Sequence, residues 1–323
     1  MSSFYHKFKV LLHSFNESHR LSNIVRHLCI AAKGPNNENL IPVELSYASY
    51  ENQTTQTHKY PPILILHGYL ASKRNWGGTA KRLFNEINSQ RKVLTIDMRN
   101  HGDTIHSNEH TNSHLVEDLR HFIQQFQLNT VALLGHSYGG LISMLFALFY
   151  PDIVEKLIIV DIIPIDQTEN FHQTENFRHV RAVLDTISKI TVPPKIPLSL
   201  ARKLMDQEMQ KRKVNKDERL FLLTQLIQKE NGNISWRFNL EVLRKHVLET
   251  ASFPEIKGKQ FDKPCIFIGG EKSGMIKKQD EPDTKQYFPT AEFRYVQGAG
   301  HSVHADKPTQ FLEICSEFLN RES

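Results

Sequence analysis

The chain is poor in cysteine, and the three it has are scattered: Cys29, Cys265 and Cys315. An odd, sparse set excludes a disulfide framework, and no C-x-x-C pair offers zinc a site. Cys265 falls in an expected strand and Cys315 in an expected helix, where a thiol acts as a small apolar residue. Long apolar runs are also missing. The most continuous one, around Leu141 to Phe149, is far short of the roughly 20 residues of a membrane span. There is no internal repeat and no low-complexity segment, which excludes solenoids and arrays. With 39% hydrophobic and 23% charged residues, the 323-residue chain can bury a sizeable core, and global disorder is excluded.

Basicity is nearly absent from the body of the chain. Residues 1–33 hold Lys7, Lys9, Arg20, Arg26 and Lys33 against Glu17, which accounts for +4 of the formal net charge of +5. The remainder carries only +1, too little of an excess to attract nucleic acid. In the arm, Phe4, Phe8, Leu11, Leu12 and Phe15 recur at helical spacing beside Lys7 and Lys9. An amphipathic, basic, acid-poor arm without a long apolar core is the pattern of a mitochondrial transit peptide, so residues 1–33 are expected to be one, cleaved near Ile30 to Gly34. The competing expectation is an ordinary packing helix.

What is present is Gly135-His136-Ser137-Tyr138-Gly139. A bare G-x-S-x-G match arises by chance in roughly one chain in ten of this length. Here the flanks carry the meaning. Val131 to Leu134 is an apolar strand, and Gly140 to Leu148 is too long and apolar for anything but a buried helix. Strand, sharp turn and helix form the context of a nucleophile elbow, with Ser137 at the turn. Glycines tolerate the strained backbone, and the helix N-terminus favours developing negative charge.

Other apolar stretches place the remaining elements. Strands are expected at Val43 to Tyr50, Ile63 to Leu66, Val93 to Ile96, Leu157 to Val160, Ile266 to Ile268 and Phe293 to Val296, and helices at Trp76 to Ile87, Leu115 to Phe126 and Phe311 to Leu319. Strands apolar throughout, alternating with helices, predict a mostly parallel sheet covered on both faces. Ile163 to Asp262 breaks the alternation with helical patterns and reads as an inserted helical cap. The expected organisation is therefore a core over 40–162 and 263–323 with a cap over 163–262. The run Lys211-Arg212-Lys213 in the cap is read as a solvated helix face.

Functional groups of such a sheet lie at the carboxyl ends of its strands. His67, Asp97, Ser137, Asp161 and His301 all fall there. A serine hydroxyl needs a base, and the base an orienting carboxylate. His301, in the Gly298-Ala299-Gly300-His301 loop, is the expected base, with His304 as fallback; His136 should point away from Ser137. For the acid, Asp161 is favoured, with Glu271 the alternative ahead of Asp280 and Asp283. The oxyanion donors are expected to be the backbone N–H groups of Tyr138 and Tyr69. His67 should brace the Tyr69 loop, and Asp97 to Asp103 is read as a loop network supporting the elbow rather than a metal site.

Together, the elbow, His67 to Trp76, Asp97 to Asp103, Val160-Asp161-Ile162, Gly298 to Asp306 and the cap segment Trp236 to Leu240 resemble the α/β-hydrolase subfamily of mitochondrial abhydrolase-domain proteins, which includes yeast ethanol acetyltransferases and bacterial esterases. The resemblance covers Val43 to the C-terminus. It implies the α/β-hydrolase fold, Asp161 as the acid, and ester or thioester chemistry. For fungal members it implies transfer of acetyl from acetyl-CoA to ethanol. Tyr69 and Tyr138 stand where relatives often carry other apolar residues, which bears on acyl-chain preference. The expected activity is alcohol O-acetyl transfer with side esterase and thioesterase activity. A plain mitochondrial carboxylesterase or thioesterase is the alternative, and a non-catalytic scaffold the remote one. Substrates would be small esters, thioesters and alcohols, with acetyl-CoA as acyl donor and no metal or organic cofactor.

Overall fold

The computed structural model describes residues 40–51, 60–87, 91–164, 175–250, 253, 256 and 258–321. The basic arm, Cys29 and the polar stretch 52–59 lie outside the described residues. The first half of the chain runs β1 (Tyr47–Tyr50), β2 (Ile63–Leu66), α1 (Gly77–Glu86), β3 (Val93–Ile96), α2 (Asn112–Gln125), β4 (Val131–His136), α3 (Tyr138–Phe149) and β5 (Val154–Val160). Then come α4 (Glu175–Ile187), α5 (Leu198–Lys211), α6 (Lys216–Thr224), β6 (Leu226–Gln228), β7 (Ile234–Trp236) and α7 (Leu240–Thr250). The chain returns through β8 (Cys265–Gly270), α8 (Glu281–Tyr287), β9 (Ala291–Val296), α9 (Val303–Asp306) and α10 (Pro308–Asn320).

Seven strands form one sheet in the order β1-β3-β2-β4-β5-β8-β9. Every pairing is parallel except β1 with β3. The central strands are buried along their whole length, as their unbroken apolar sequences require. Alternate side chains serve opposite faces. Ile63, Ile65, Ala132, Leu134, Ile158 and Val160 pack with the buried faces of α1 and α10. Leu64, Leu66, Leu133, Leu157 and Ile159 pack with those of α2 and α3. Helix α3 is buried from Tyr138 to Leu148, and each large apolar side chain there contributes about 1.5–3 kcal/mol.

Between β5 and β8, neighbours in the sheet, lies the inserted segment. Val183, Leu184, Ile187, Met205, Met209, Leu222, Leu243 and Val247 make its own apolar cluster, into which the core contributes Leu70. The segment is not helical throughout. β6 and β7 form an antiparallel hairpin closed by Lys229 to Asn233, with Gly232 at φ +82° supplying the left-handed turn residue. The first strand is shorter than its apolar pattern, starting at Tyr47 and not Val43. The Val43 N–H instead donates to Asp118 Oδ1 at 2.8 Å, so a side chain takes the donor that a strand ladder would use. Helix α2 starts earlier than Leu115 because Thr111 caps it, its hydroxyl accepting from the His114 N–H.

Candidate functional site

The end of β4 turns directly into α3 at Ser137, whose backbone sits at φ 52°, ψ −120°. This is left-handed territory that a side chain enters only under strain. The turn survives because Gly135 and Gly139, two residues to either side of Ser137, have no side chains. A Cβ on Gly135 would lie 2.3 Å from the Gly139 carbonyl oxygen, and one on Gly139 would lie 2.4 Å from that of Leu66. The Ser137 N–H donates to Val160 O at 2.9 Å, tying the elbow to the end of β5.

The structure brings Ser137, His301 and Asp161 together from three strand ends. His301 Nε2 is 3.0 Å from Ser137 Oγ, and His301 Nδ1 is 2.7 Å from Asp161 Oδ2. A carboxylate accepts, so the network assigns the hydrogen to Nδ1 and leaves Nε2 to accept from the serine hydroxyl. Asp161 is fully buried and, like Ser137, has positive φ, at 54°. Its second oxygen is saturated. Oδ1 accepts from the Gly270 N–H at 2.9 Å and from Ser273 Oγ at 2.7 Å. Ser273 Oγ accepts in turn from the Met275 N–H at 3.1 Å, which directs its own hydrogen to Asp161. Sequence reasoning missed Ser273. Its only signal was that the loop after β8 carries small donor residues and no aspartate.

The other acids do not meet His301. Glu271 Oε2 accepts from the Gly298 N–H at 2.8 Å, so it pins the loop that carries His301. Asp280 accepts from the Lys277 N–H and Asp283 from Gln286. His304 is buried, stacked on Trp76 at 3.9 Å between ring centres, and burial pushes its pKa down to about 3. His136 also turns from Ser137, and donates from Nε2 to the His301 carbonyl at 2.9 Å.

Tyr138 is the first residue of α3, so its N–H belongs to the end of the helix that attracts negative charge. Tyr69 follows β2. His67 holds that loop: Nε2 accepts from the Met98 N–H at 3.1 Å, and Nδ1 donates to Gly68 O at 2.8 Å. Burial keeps His67 neutral by lowering its pKa. The Tyr69 ring meets Tyr138 edge-on at 5.2 Å, and its hydroxyl donates to Leu243 O of α7 at 2.8 Å. Thus the loop beside the serine is fastened to the inserted segment, a link the sequence did not signal.

The polar run after β3 is a network, but it serves this loop and the insert more than the elbow. Asp97 accepts from the Lys73 N–H and Nζ, each at 2.6 Å, and from the Asp103 N–H at 2.8 Å. Arg237, following β7, donates to Asp103 Oδ1 at 2.6 Å. Gly102 is obligatory, since at φ +61° its Cβ would fall 2.0 Å from Asp97 Cγ. In the basic run, Lys211 and Arg212 pair with Glu208 on the exposed face of α5.

Residues 61–308 match the family model described as the alpha/beta hydrolase fold. The chain belongs to the α/β-hydrolase fold family. Among the curated relatives of this α/β hydrolase, the sn-1-specific diacylglycerol lipase ABHD11 of Danio rerio is 36% identical over 280 residues, covering 86% of this chain and 83% of that protein. Ethanol acetyltransferase 1 of Cyberlindnera fabianii is 29% identical over 275 residues, covering 80% and 79%. Among solved structures, a marine microorganism esterase superposes with a TM-score of 0.73 at 30% identity, covering 85% of this α/β hydrolase and 99% of that chain.

Proposed function

We propose that the protein is a serine ester hydrolase that works through an acyl-enzyme. The observation that carries this reading is the run of hydrogen bonds from Asp161 through His301 to Ser137, at 2.7 and 3.0 Å, with Ser137 on a strained elbow. In the first half-reaction Ser137 Oγ attacks the ester carbonyl while His301 Nε2 takes its proton. The N–H groups of Tyr138 and Tyr69 receive the oxyanion. Collapse breaks the ester bond, and His301 returns the proton to the departing alcohol or thiol. Water then attacks the acyl carbonyl while giving a proton to His301; collapse breaks the acyl–Oγ bond, and His301 returns that proton to Ser137 Oγ, releasing the acid and free enzyme. The His301 side chain is 44% exposed, so water has a route to the base. No step consumes a metal or organic cofactor.

The proposed substrates are acyl esters, with the sn-1 ester of a diacylglycerol first among them. Support comes from the Danio rerio relative named as a lipase, which is 36% identical to this chain over 280 residues. A second reading, favoured by the 29% relationship to an ethanol acetyltransferase, replaces water by ethanol as acceptor and acetyl-CoA as donor, giving ethyl acetate. The basic arm supports a mitochondrial location for either.

A fluorophosphonate probe should label the wild type and not Ser137→Ala; equal labelling of both would overturn the nucleophile. Diacylglycerols with distinct sn-1 and sn-2 chains should lose the sn-1 acid first. Incubation with acetyl-CoA, with and without ethanol, separates the acceptors: acetate alone in both sinks the transfer reading, whereas ethyl acetate rising with ethanol establishes it.

A further inference from the structure

The chemistry above makes no use of His136, the residue immediately before the serine. Its side chain is buried. Nε2 lies 2.9 Å from the carbonyl oxygen of His301. A carbonyl can only accept, so Nε2 must carry the hydrogen. The His136 ring packs against the His301 ring, with centres 4.8 Å apart, and against His304 at 5.0 Å. Behind it stands Trp76, at 6.1 Å.

Other anchors of the base loop come from elsewhere. Gly298 donates to Glu271, Gly300 donates to Asp306 Oδ2 at 2.7 Å, and Ala299 O accepts from the Lys272 N–H at 2.8 Å. These bonds fix the glycine-rich residues before His301 to the loop after β8 and to α9. The bond from His136 is different because it runs to the end of β4, where the serine sits. His136 and Ser137 are consecutive, so a ring closes. One side goes from His136 Nε2 to His301 O, the other from Ser137 Oγ to His301 Nε2, and a single peptide unit joins them. Any drift of the base loop away from β4 stretches both bonds together.

We propose that His136 is a positioning residue, which sets the approach of the His301 imidazole to Ser137 by holding the His301 main chain through its Nε2–H. The inference rests on reading Ser137 as nucleophile and His301 as base. Burial, reinforced by the neighbouring His301 and His304, holds the His136 pKa well below that of an ordinary histidine. It therefore remains a neutral donor near pH 7 and does not compete with His301 for protons.

The full-length protein is assayed as His136→Leu and His136→Gln. Leucine keeps apolar bulk and removes the donor, whereas glutamine retains an N–H at similar reach. Misplacing a reacting group by about 1 Å costs up to roughly 10²-fold, so kcat in the leucine variant should fall on the order of 10- to 100-fold with KM within about two-fold. Fluorophosphonate labelling of Ser137 should slow in parallel, and glutamine should restore most of both rates. A glutamine variant as slow as the leucine one, or a leucine variant with wild-type kcat, overturns the proposal. A second measurement does not depend on how the variants fold. Long-range nitrogen–proton correlation spectra of the wild type should show the His136 ring neutral with its hydrogen on Nε2; a hydrogen on Nδ1 overturns the proposal. Labelling that survives Ser137→Ala would instead overturn the nucleophile, and Ser137-dependent turnover indifferent to His136 would overturn only the positioning role.

Discussion

Asp161 is a buried carboxylate with three donors converging on it, and its two oxygens have separate tasks. Oδ2 faces His301, while Oδ1 is held by Gly270 and Ser273. Asp161→Asn replaces an acceptor by an amide, which upsets both the His301 tautomer and the Gly270 contact. Turnover should drop on the order of 10³- to 10⁴-fold while the fold stays intact by circular dichroism. Ser273→Ala leaves Oδ2 in place and frees only one bond to Oδ1, so a loss of roughly ten-fold is expected, in line with about 1.4 kcal/mol for a hydrogen bond to a charged group. Glu271→Gln still accepts from Gly298 and should stay near wild type. A collapse in Glu271→Gln alongside an active Asp161→Asn would exchange their roles. The residues themselves were legible as strand-end positions, since Ser137, Asp161 and His301 each follow an apolar run. Between the two acids the sequence left open, Asp161 is the one within hydrogen-bond reach of His301, whereas Glu271 binds the backbone of that loop on the Gly298 side. The support given by Ser273 arises from a turn in three dimensions and has no spacing to reveal it.

At the scale of elements, α10 ends on an unusual cap. Lys156 of β5 is buried, and its Nζ donates to Phe318 O at 3.4 Å, Leu319 O at 3.3 Å and Arg321 O. The last carbonyls of a helix lack partners within it, and a cation there also meets the negative end of the dipole. Lys156→Met fills the space but strips these acceptors, so stability should fall by about 2 kcal/mol in urea unfolding. Amide exchange should accelerate over the last turn of α10. An unchanged urea midpoint would show that water replaces the lysine without loss. Elements with long apolar periods, such as α3 and α10, could be read directly. The β6–β7 hairpin could not, because three-residue strands such as Leu226-Ile227-Gln228 contain too little alternation to separate from the helical pattern around them. The antiparallel entry of β1 was equally hidden, since direction is fixed by the connection and not by the strand's own residues.

For the molecule as a whole, buried histidines set its response to acid. His110 and His304 are both held down to about 3 by burial, and His67, His101 and His136 are lowered in the same direction. Below pH 6.5 the unfolded chain gains protons at these rings that the folded one refuses. Stability is therefore fully present above that pH and is lost as pH falls toward 3. For His110 and His304 the loss is roughly 2 kcal/mol each at pH 5. The urea midpoint should fall steeply between pH 7 and pH 5. His304→Phe, which keeps an aromatic ring against Trp76, should flatten that slope. A slope equal to wild type would mean that His304 is charged in the folded protein.

The long excursion between β5 and β8 also orders events in time. Synthesis delivers the elbow and Asp161 first, then the whole insert, and only afterwards β8, β9 and His301, 140 residues beyond its carboxylate partner. Contacts so distant along the chain form late, because their loop must close before they reward it. A nascent chain thus carries Ser137 with no His301 beside it until the insert and the two strands after it have been made. On the proposed reading, the hydroxyl of Ser137 has no imidazole to take its proton until the chain on both sides of the insert has come together, so acyl transfer waits on that return.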